Sequence, residues 1–170
     1  LAAWTPPAPL DVIVANASLQ WVDGHPHLLR RLVAALAPQG WLAFQVPVGN
    51  RAHQILRALR SEPRWVAQIG PDRVQSSDRA LSAAAYIELL LALGCTVDAW
   101  ETTYMQLLQG DNAVMEWTKG TCVRPILAAL SEAEQAEFLA EYGRRLLEAY
   151  PPAGYGTLFP FPRLFVVARR

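Results

Sequence analysis

The chain has 170 residues, with a hydrophobic fraction of 52% and a charged fraction of 18%, which excludes a disordered chain and is enough for one domain with a real core. Fifteen basic residues balance fifteen acidic ones, so no net field gathers nucleic acid or an anionic membrane, and any anion site must be a local cluster. No apolar run, 89–93 included, approaches the length of a membrane span, and two cysteines, Cys95 and Cys122, make neither a disulfide framework nor a zinc site and fit a reducing cytoplasm.

In chain order, Asp11-Val-Ile-Val-Ala-Asn16 follows Pro6, Pro7 and Pro9 and predicts a buried strand, with 17–21 as a loop at its carboxyl end. Pro26 suits the first turn of a helix carrying Leu28, Leu29, Leu32, Val33 and Leu36, which Pro38 and Gly40 stop. Residues 41–46 predict a second buried strand, so this stretch is a βαβ unit with parallel strands. Asn50 caps a helix with Ile55, Leu56 and Leu59 that ends near Pro63. Residues 70–79 are polar and turn-rich. Ser82 caps the next helix, whose Tyr86, Leu89, Leu90 and Leu93 share one face, with Gly94 just past its end.

The stretch 96–108 reads as a strand, and so does 159–168, with Pro160 and Pro162 confined to its start. Between them lies a helical insert, 111–150. There Asp111 caps a short helix reaching Lys119, 124–130 forms another, and Ser131 with Glu134 makes a capping box for a helix carrying Phe138, Tyr142 and Leu146. The last two strands have no crossover helix between them, which predicts an antiparallel pair at one end of the sheet. An open α/β sheet binds ligands at the carboxyl ends of its strands, which puts the loops after Asn16 and Val46 on the working face.

Asn16-Ala-Ser-Leu-Gln-Trp21 directly after Asp11-Val-Ile-Val resembles the fourth motif of class I S-adenosylmethionine-dependent methyltransferases. Gly40-Trp-Leu-Ala-Phe-Gln-Val-Pro47, Trp100-Glu-Thr-Thr-Tyr104, Glu116-Trp-Thr-Lys-Gly-Thr121 with Arg124-Pro125, and Phe159-Pro-Phe-Pro-Arg-Leu-Phe165 extend the likeness over nearly all of the chain. The resemblance implies an α/β, Rossmann-like sheet in the order 3-2-1-4-5-7-6, of which this chain carries strands four to seven, the last two antiparallel, with the helical insert. Leu1 is not Met, and the glycine-rich loop of the family is absent; Gly154-Tyr-Gly156 reads as a turn. We therefore expect residues 1–170 to be a partial domain, weak in cofactor binding alone, whose exposed fourth-strand edge pairs with a missing segment or another copy.

The resemblance implies S-adenosyl-L-methionine as cofactor, with Leu1, Asn16 and Ala17 along it. Trp21 either walls the methyl-transfer pocket or is a core residue. It further implies a small polycarboxylic acid as acceptor and partner, with no nucleic acid and no membrane. Such a ligand needs cations, and Arg offers a two-pronged fork matched to carboxylate, which singles out Arg124 and Arg163. Trp117 belongs to the same acceptor set through its motif. Tyr104 either gives its hydroxyl to a carboxylate or packs in the core. Lys119 reads as a helix-end charge, Arg144 and Arg145 as water-facing, and His53 as a surface histidine. His25 and His27 flank Pro26 and belong to a helix start rather than a metal site. No catalytic base stands out, and a carboxylate, already ionised at neutral pH, needs none to accept a methyl group.

Overall fold

The computed structural model describes residues 4–70 and 80–170. Leu1 and the segment 71–79 lie outside them. Strand β1 (Leu10–Asn16) buries Ile13 and Ala15 and leaves Val12 and Val14 exposed. The expected fully buried strand is thus a half-buried one, with the period-two alternation of a sheet that covers one face. A short turn of 3-10 helix (Leu19–Trp21) leads to α1 (His25–Ala34), which has Pro26 in its first turn.

Helix α1 ends before Leu36, which opens strand β2 (Leu36–Pro47) and pairs with Leu10. The sequence reading carried the helix through Leu36. Pro38 disfavours helical backbone at the residue before it, and the chain leaves the helix earlier still. Val12 pairs with Trp41, so Ala37, Pro38, Gln39 and Gly40 bulge between the two pairings. Gly40 is required there. A Cβ on it would lie 2.9 Å from the Leu10 carbonyl oxygen and 3.2 Å from that of Asp11.

Asn50 caps α2 (Arg51–Arg60) through its side chain, which accepts from the His53 N–H at 3.0 Å. Helix α3 (Pro63–Ile69) was not expected. Pro63, read as a stop, instead occupies the first helical turn, where its missing N–H has no partner to lose. Ser82 caps α4 (Ala83–Ala92) as predicted, its hydroxyl accepting from the Ala85 N–H, and Gly94 follows with φ 79. Next come β3 (Thr96–Leu108), α5 (Ala113–Thr118), a π-helical turn (Lys119–Val123), α6 (Arg124–Leu127), α7 (Glu132–Ala149) and β4 (Thr157–Arg169). Asn112, not Asp111, precedes α5, and its side chain makes no cap bond. The capping box of α7 forms, the Glu134 carboxylate accepting from the Ser131 N–H at 2.8 Å. Pro160 and Pro162 lie inside β4 rather than at its start.

The sheet order is β1-β2-β4-β3. Strand β1 is parallel to β2, and β2 is antiparallel to β4 from Trp41↔Arg169 to Pro47↔Arg163. This is the four-five-seven-six order that the resemblance implies. The chain forms two compact units. The first takes Leu1–Val48, Asp78–Thr103 and Pro162–Arg170, and the second Gly49–Ser77 and Tyr104–Phe161. The core of the first sets Ile13, Leu42, Phe44 and Val166 of the sheet against Leu29 of α1 and Leu90 of α4. In the second, Leu56, Trp65, Val114, Phe138, Tyr142 and Phe159 share one cluster. The helices of the predicted insert 111–150 therefore have a common core with α2 and α3.

Candidate functional site

In the first unit, polar groups gather where β1 and β2 end. Asn16 closes β1 opposite Gln45 of β2. Ala17 takes φ 46, left-handed backbone that non-glycine residues rarely adopt. Its N–H donates to the Gln45 carbonyl at 2.9 Å, and the Gln20 amide closes the turn on the Ala17 carbonyl at 2.8 Å. Such backbone is held only where the surroundings over-determine it, and it recurs at ligand sites. Arg163 stands on β4 opposite Pro47. Its Nη1 donates to Gln45 Oε1 at 2.9 Å. Gln45 is only 8% exposed, and among the described residues its Nε2 has no hydrogen-bond partner.

A buried network fixes the turn that follows. His25 Nε2 lies 3.0 Å from the Leu19 carbonyl oxygen, so that nitrogen carries the proton. His25 Nδ1 then accepts from the Tyr86 hydroxyl at 2.5 Å, and the Tyr86 oxygen accepts from the Leu81 N–H at 3.3 Å. Burial pushes the Tyr86 hydroxyl up to about 12, against the opposing effect of the Leu81 bond. Tyr86 therefore stays a neutral donor. Trp21, at the end of this turn, is 63% exposed, so its reading as a core tryptophan does not hold.

The other predicted residues belong to the second unit. Trp117 lies half-buried on α5, with its ring 5.0 Å from Phe159 and 4.8 Å from Phe161. Its observed contacts are core packing. Arg124 is exposed at the first position of α6. Tyr104 is exposed on β3, which removes its core alternative. Lys119 faces Glu116 at 3.5 Å, a helix-end pair as expected. Arg145 was expected to face water. It is half-buried and bridges Glu62 and Glu141, each at 2.7 Å. The structure thus brings Asn16, Ala17 and Arg163 together at one end of the first unit, with Trp21 on the adjoining turn. Arg124, Tyr104 and Trp117 are positioned by other elements, and Leu1 lies outside the described residues. Among the described residues no group of three His, Cys, Asp or Glu could hold a metal ion, and no helix is long and apolar enough to cross a membrane. Sequence reasoning passed over Gln45, whose signal is a single amide inside an otherwise apolar strand.

A methyltransferase domain family matches residues 2–99. The chain is 48% identical over 170 residues to trans-aconitate 2-methyltransferase of Streptomyces avermitilis, covering 98% of this chain and 62% of that protein. It is 45% identical over 173 residues to trans-aconitate 2-methyltransferase of Methylobacterium nodulans, covering 100% of this chain and 67% of that protein. The chain thus spans roughly two thirds of the length of these curated relatives. Among solved structures, the YcgJ protein of Bacillus subtilis superposes with a TM-score of 0.52 at 11% identity, covering 98% of this chain and 67% of that one. That likeness concerns the fold. The matched domain and the nearly complete alignment with these relatives carry the same conclusion as the sheet order: the chain belongs to the methyltransferase domain family.

Proposed function

We propose that the full-length protein transfers a methyl group from S-adenosyl-L-methionine to one carboxylate of a small polycarboxylic acid, trans-aconitate first among them, giving a monomethyl ester. The observation that carries this reading is the likeness to relatives named trans-aconitate 2-methyltransferase over almost the whole chain. When bound, the cofactor supplies an electrophilic methyl group on a sulfonium. The groups at the end of β1 suit its amino-acid end. Asn16 is exposed there and offers an amide oxygen to an ammonium group, and the left-handed turn at Ala17 bends the chain back from the strand end. Leu1 and Trp21 are proposed as further cofactor contacts on the resemblance alone.

Toward the acceptor, the work left to the protein is positioning. An ionised carboxylate supplies its own electron pair, so the chain's residues have only to anchor the carboxylates that do not react and to hold the one that does in line. Orientation of this kind is worth on the order of 7–11 kcal/mol. Arg163, beside Asn16 and Gln45, is proposed as one anchor. Arg124, Tyr104 and Trp117 are proposed as acceptor groups on residue chemistry and motif: a guanidinium fork, a hydroxyl donor and an apolar wall.

The test is a panel of acceptors offered to the full-length protein with S-adenosyl-L-methionine, read by mass spectrometry of the product. The expected product is a monomethyl ester of trans-aconitate, with weaker turnover of related di- and tricarboxylates. Methylation of amines or phenols with every acid inert would overturn the reading. Preference for a carrier-bound or much larger acid would keep the chemistry and replace the substrate.

A further inference from the structure

We propose that Gln45 sets acceptor specificity: its side-chain amide donates to a carboxylate oxygen of the acceptor, and Arg163 fixes the orientation in which it does so. The inference rests on the function proposed above and adds to it a residue that neither the motifs nor the search for cationic partners singled out. Around Gln45 the strand is apolar, with Leu42, Phe44 and Val46 at most 3% exposed. Those three point to the core face of the sheet, whereas Gln45 shares the other face with its register partners Asn16 and Phe165; an amide as buried as this one ordinarily satisfies its groups. Gln45 satisfies one. Its Oε1 accepts from Arg163 Nη1, while its Nε2 finds no partner among the described residues.

The direction of the amide is fixed. Turning it over would set two donors, the NH2 group and the guanidinium, against each other. The NH2 group therefore faces away from Arg163, at the carboxyl ends of β1 and β2, where Asn16 is its neighbour in register and the left-handed Ala17 turns the chain aside. Two N–H donors with a guanidinium behind them select an oxygen anion. A carboxylate oxygen is favoured over a neutral carbonyl because a hydrogen bond to an ionised acceptor is the stronger one.

Two carboxylates fit that chemistry, that of the acceptor and that of the methionine end of the cofactor. The acceptor is the better match. The cofactor's carboxylate sits beside its own ammonium group, whereas an acid with several carboxylates needs every cationic and donor group the site can give.

The experiment compares Gln45→Met and Gln45→Glu with the parent, all as full-length protein. The readouts are kcat and KM for the acid that the parent methylates best, the Kd of S-adenosylhomocysteine by calorimetry, and Tm. Gln45→Met removes the donors at constant volume. It should raise the acceptor KM about tenfold or more while leaving the Kd of S-adenosylhomocysteine unchanged. Its Tm reads the balance of two changes, the loss of an unsatisfied buried donor and the loss of the acceptor that Arg163 Nη1 meets. Gln45→Glu replaces the donor by a carboxylate oxygen that faces the acceptor's own and should raise KM further; if it does not fold, Gln45→Met decides alone. An acceptor KM equal to the parent's in Gln45→Met would overturn the inference and leave the proposed function standing. A weakened Kd for S-adenosylhomocysteine with an unchanged acceptor KM would also overturn it, by assigning Gln45 to the cofactor. A parent that methylates no acid would instead bring down the proposed function itself.

Discussion

Two ways of burying polar groups distinguish the two units. In the first, the buried polar side chains His25 and Gln45 lie at the start of α1 and near the end of β2, at the margin of a largely aliphatic core that also holds Phe44 and Tyr86. In the second, aromatic side chains fill the core and their hydroxyls serve the backbone. Tyr150 accepts from the Ala52 N–H at 3.0 Å, and Tyr142 donates to the Ala52 carbonyl at 3.3 Å. Ala52 lies in the first turn of α2, where helical N–H groups lack partners within the helix. The second unit thus spends its buried hydroxyls on fastening α7 to α2. The first holds its polar groups at strand ends, where an open sheet takes its ligand. The Tyr142 and Tyr150 hydroxyls are scaffold, whereas Gln45 keeps an unpartnered donor at the end of a strand.

The contrast can be broken by lesions matched to each unit. Phe138 is fully buried on α7, edge-on to Trp65 at 4.9 Å. Phe138→Ala should destabilise by about 3–5 kcal/mol in urea unfolding. If the loss is below 1 kcal/mol on the same scale, the aromatic cluster is not what holds the second unit. Tyr86→Phe keeps the ring of the first unit's network and removes only the hydroxyl. It strands the Leu81 N–H and His25 Nδ1 and should destabilise by about 1–3 kcal/mol. A loss as large as that of Phe138→Ala would mean that the network carries the fold as well as the turn.

The smallest effect belongs to the surface of the second unit. Hydrogen bonds from Arg144 and Arg145 hold the Glu141 carboxyl down to about 2 from an ordinary 4.5. A carboxyl lowered in the folded state adds stability above its unfolded value and loses it as pH falls toward the folded one. Glu141→Gln should therefore lower Tm slightly at neutral pH and at low salt, because exposed pairs are weak and screened. The gap between variant and parent should close between pH 4.5 and about 2. A gap that stays constant through that window would show that the ion pairs contribute nothing.

Much of the first unit is legible in the residues themselves. Asp11-Val-Ile-Val and Trp-Leu-Ala-Phe-Gln-Val announce strands by composition, and Pro26 and Ser82 announce helix starts; the expectation paired the last two strands antiparallel, and the structure shows β4 running antiparallel to β2 and next to β3. What failed to read were effects of tertiary context. Leu36 fits the period of α1 but is claimed by pairing with Leu10. Pro63 carries the same chemistry whether it ends one helix or begins another, and only α3 decides. Arg145 looks like a solvent charge until Glu62, far away in sequence, meets it. Of the candidate site, Asn16, Ala17 and Arg163 came from motif and position. Gln45 did not, because one amide in a strand signals nothing until its partners are seen.

Gly40 bears on how the chain finds this arrangement. Parallel strands can slide past each other by two residues without turning any side chain to the wrong face, so the apolar pattern of β1 and β2 tolerates a misaligned mate. Gly40 does not. A slide by two in either direction would bring Pro38 or Leu42 against the Leu10 and Asp11 carbonyls, where a Cβ in place of Gly40 would lie 2.9 and 3.2 Å from the oxygens. That close approach favours the observed register over its two-residue slips, and it is in this register that Asn16 lies opposite Gln45.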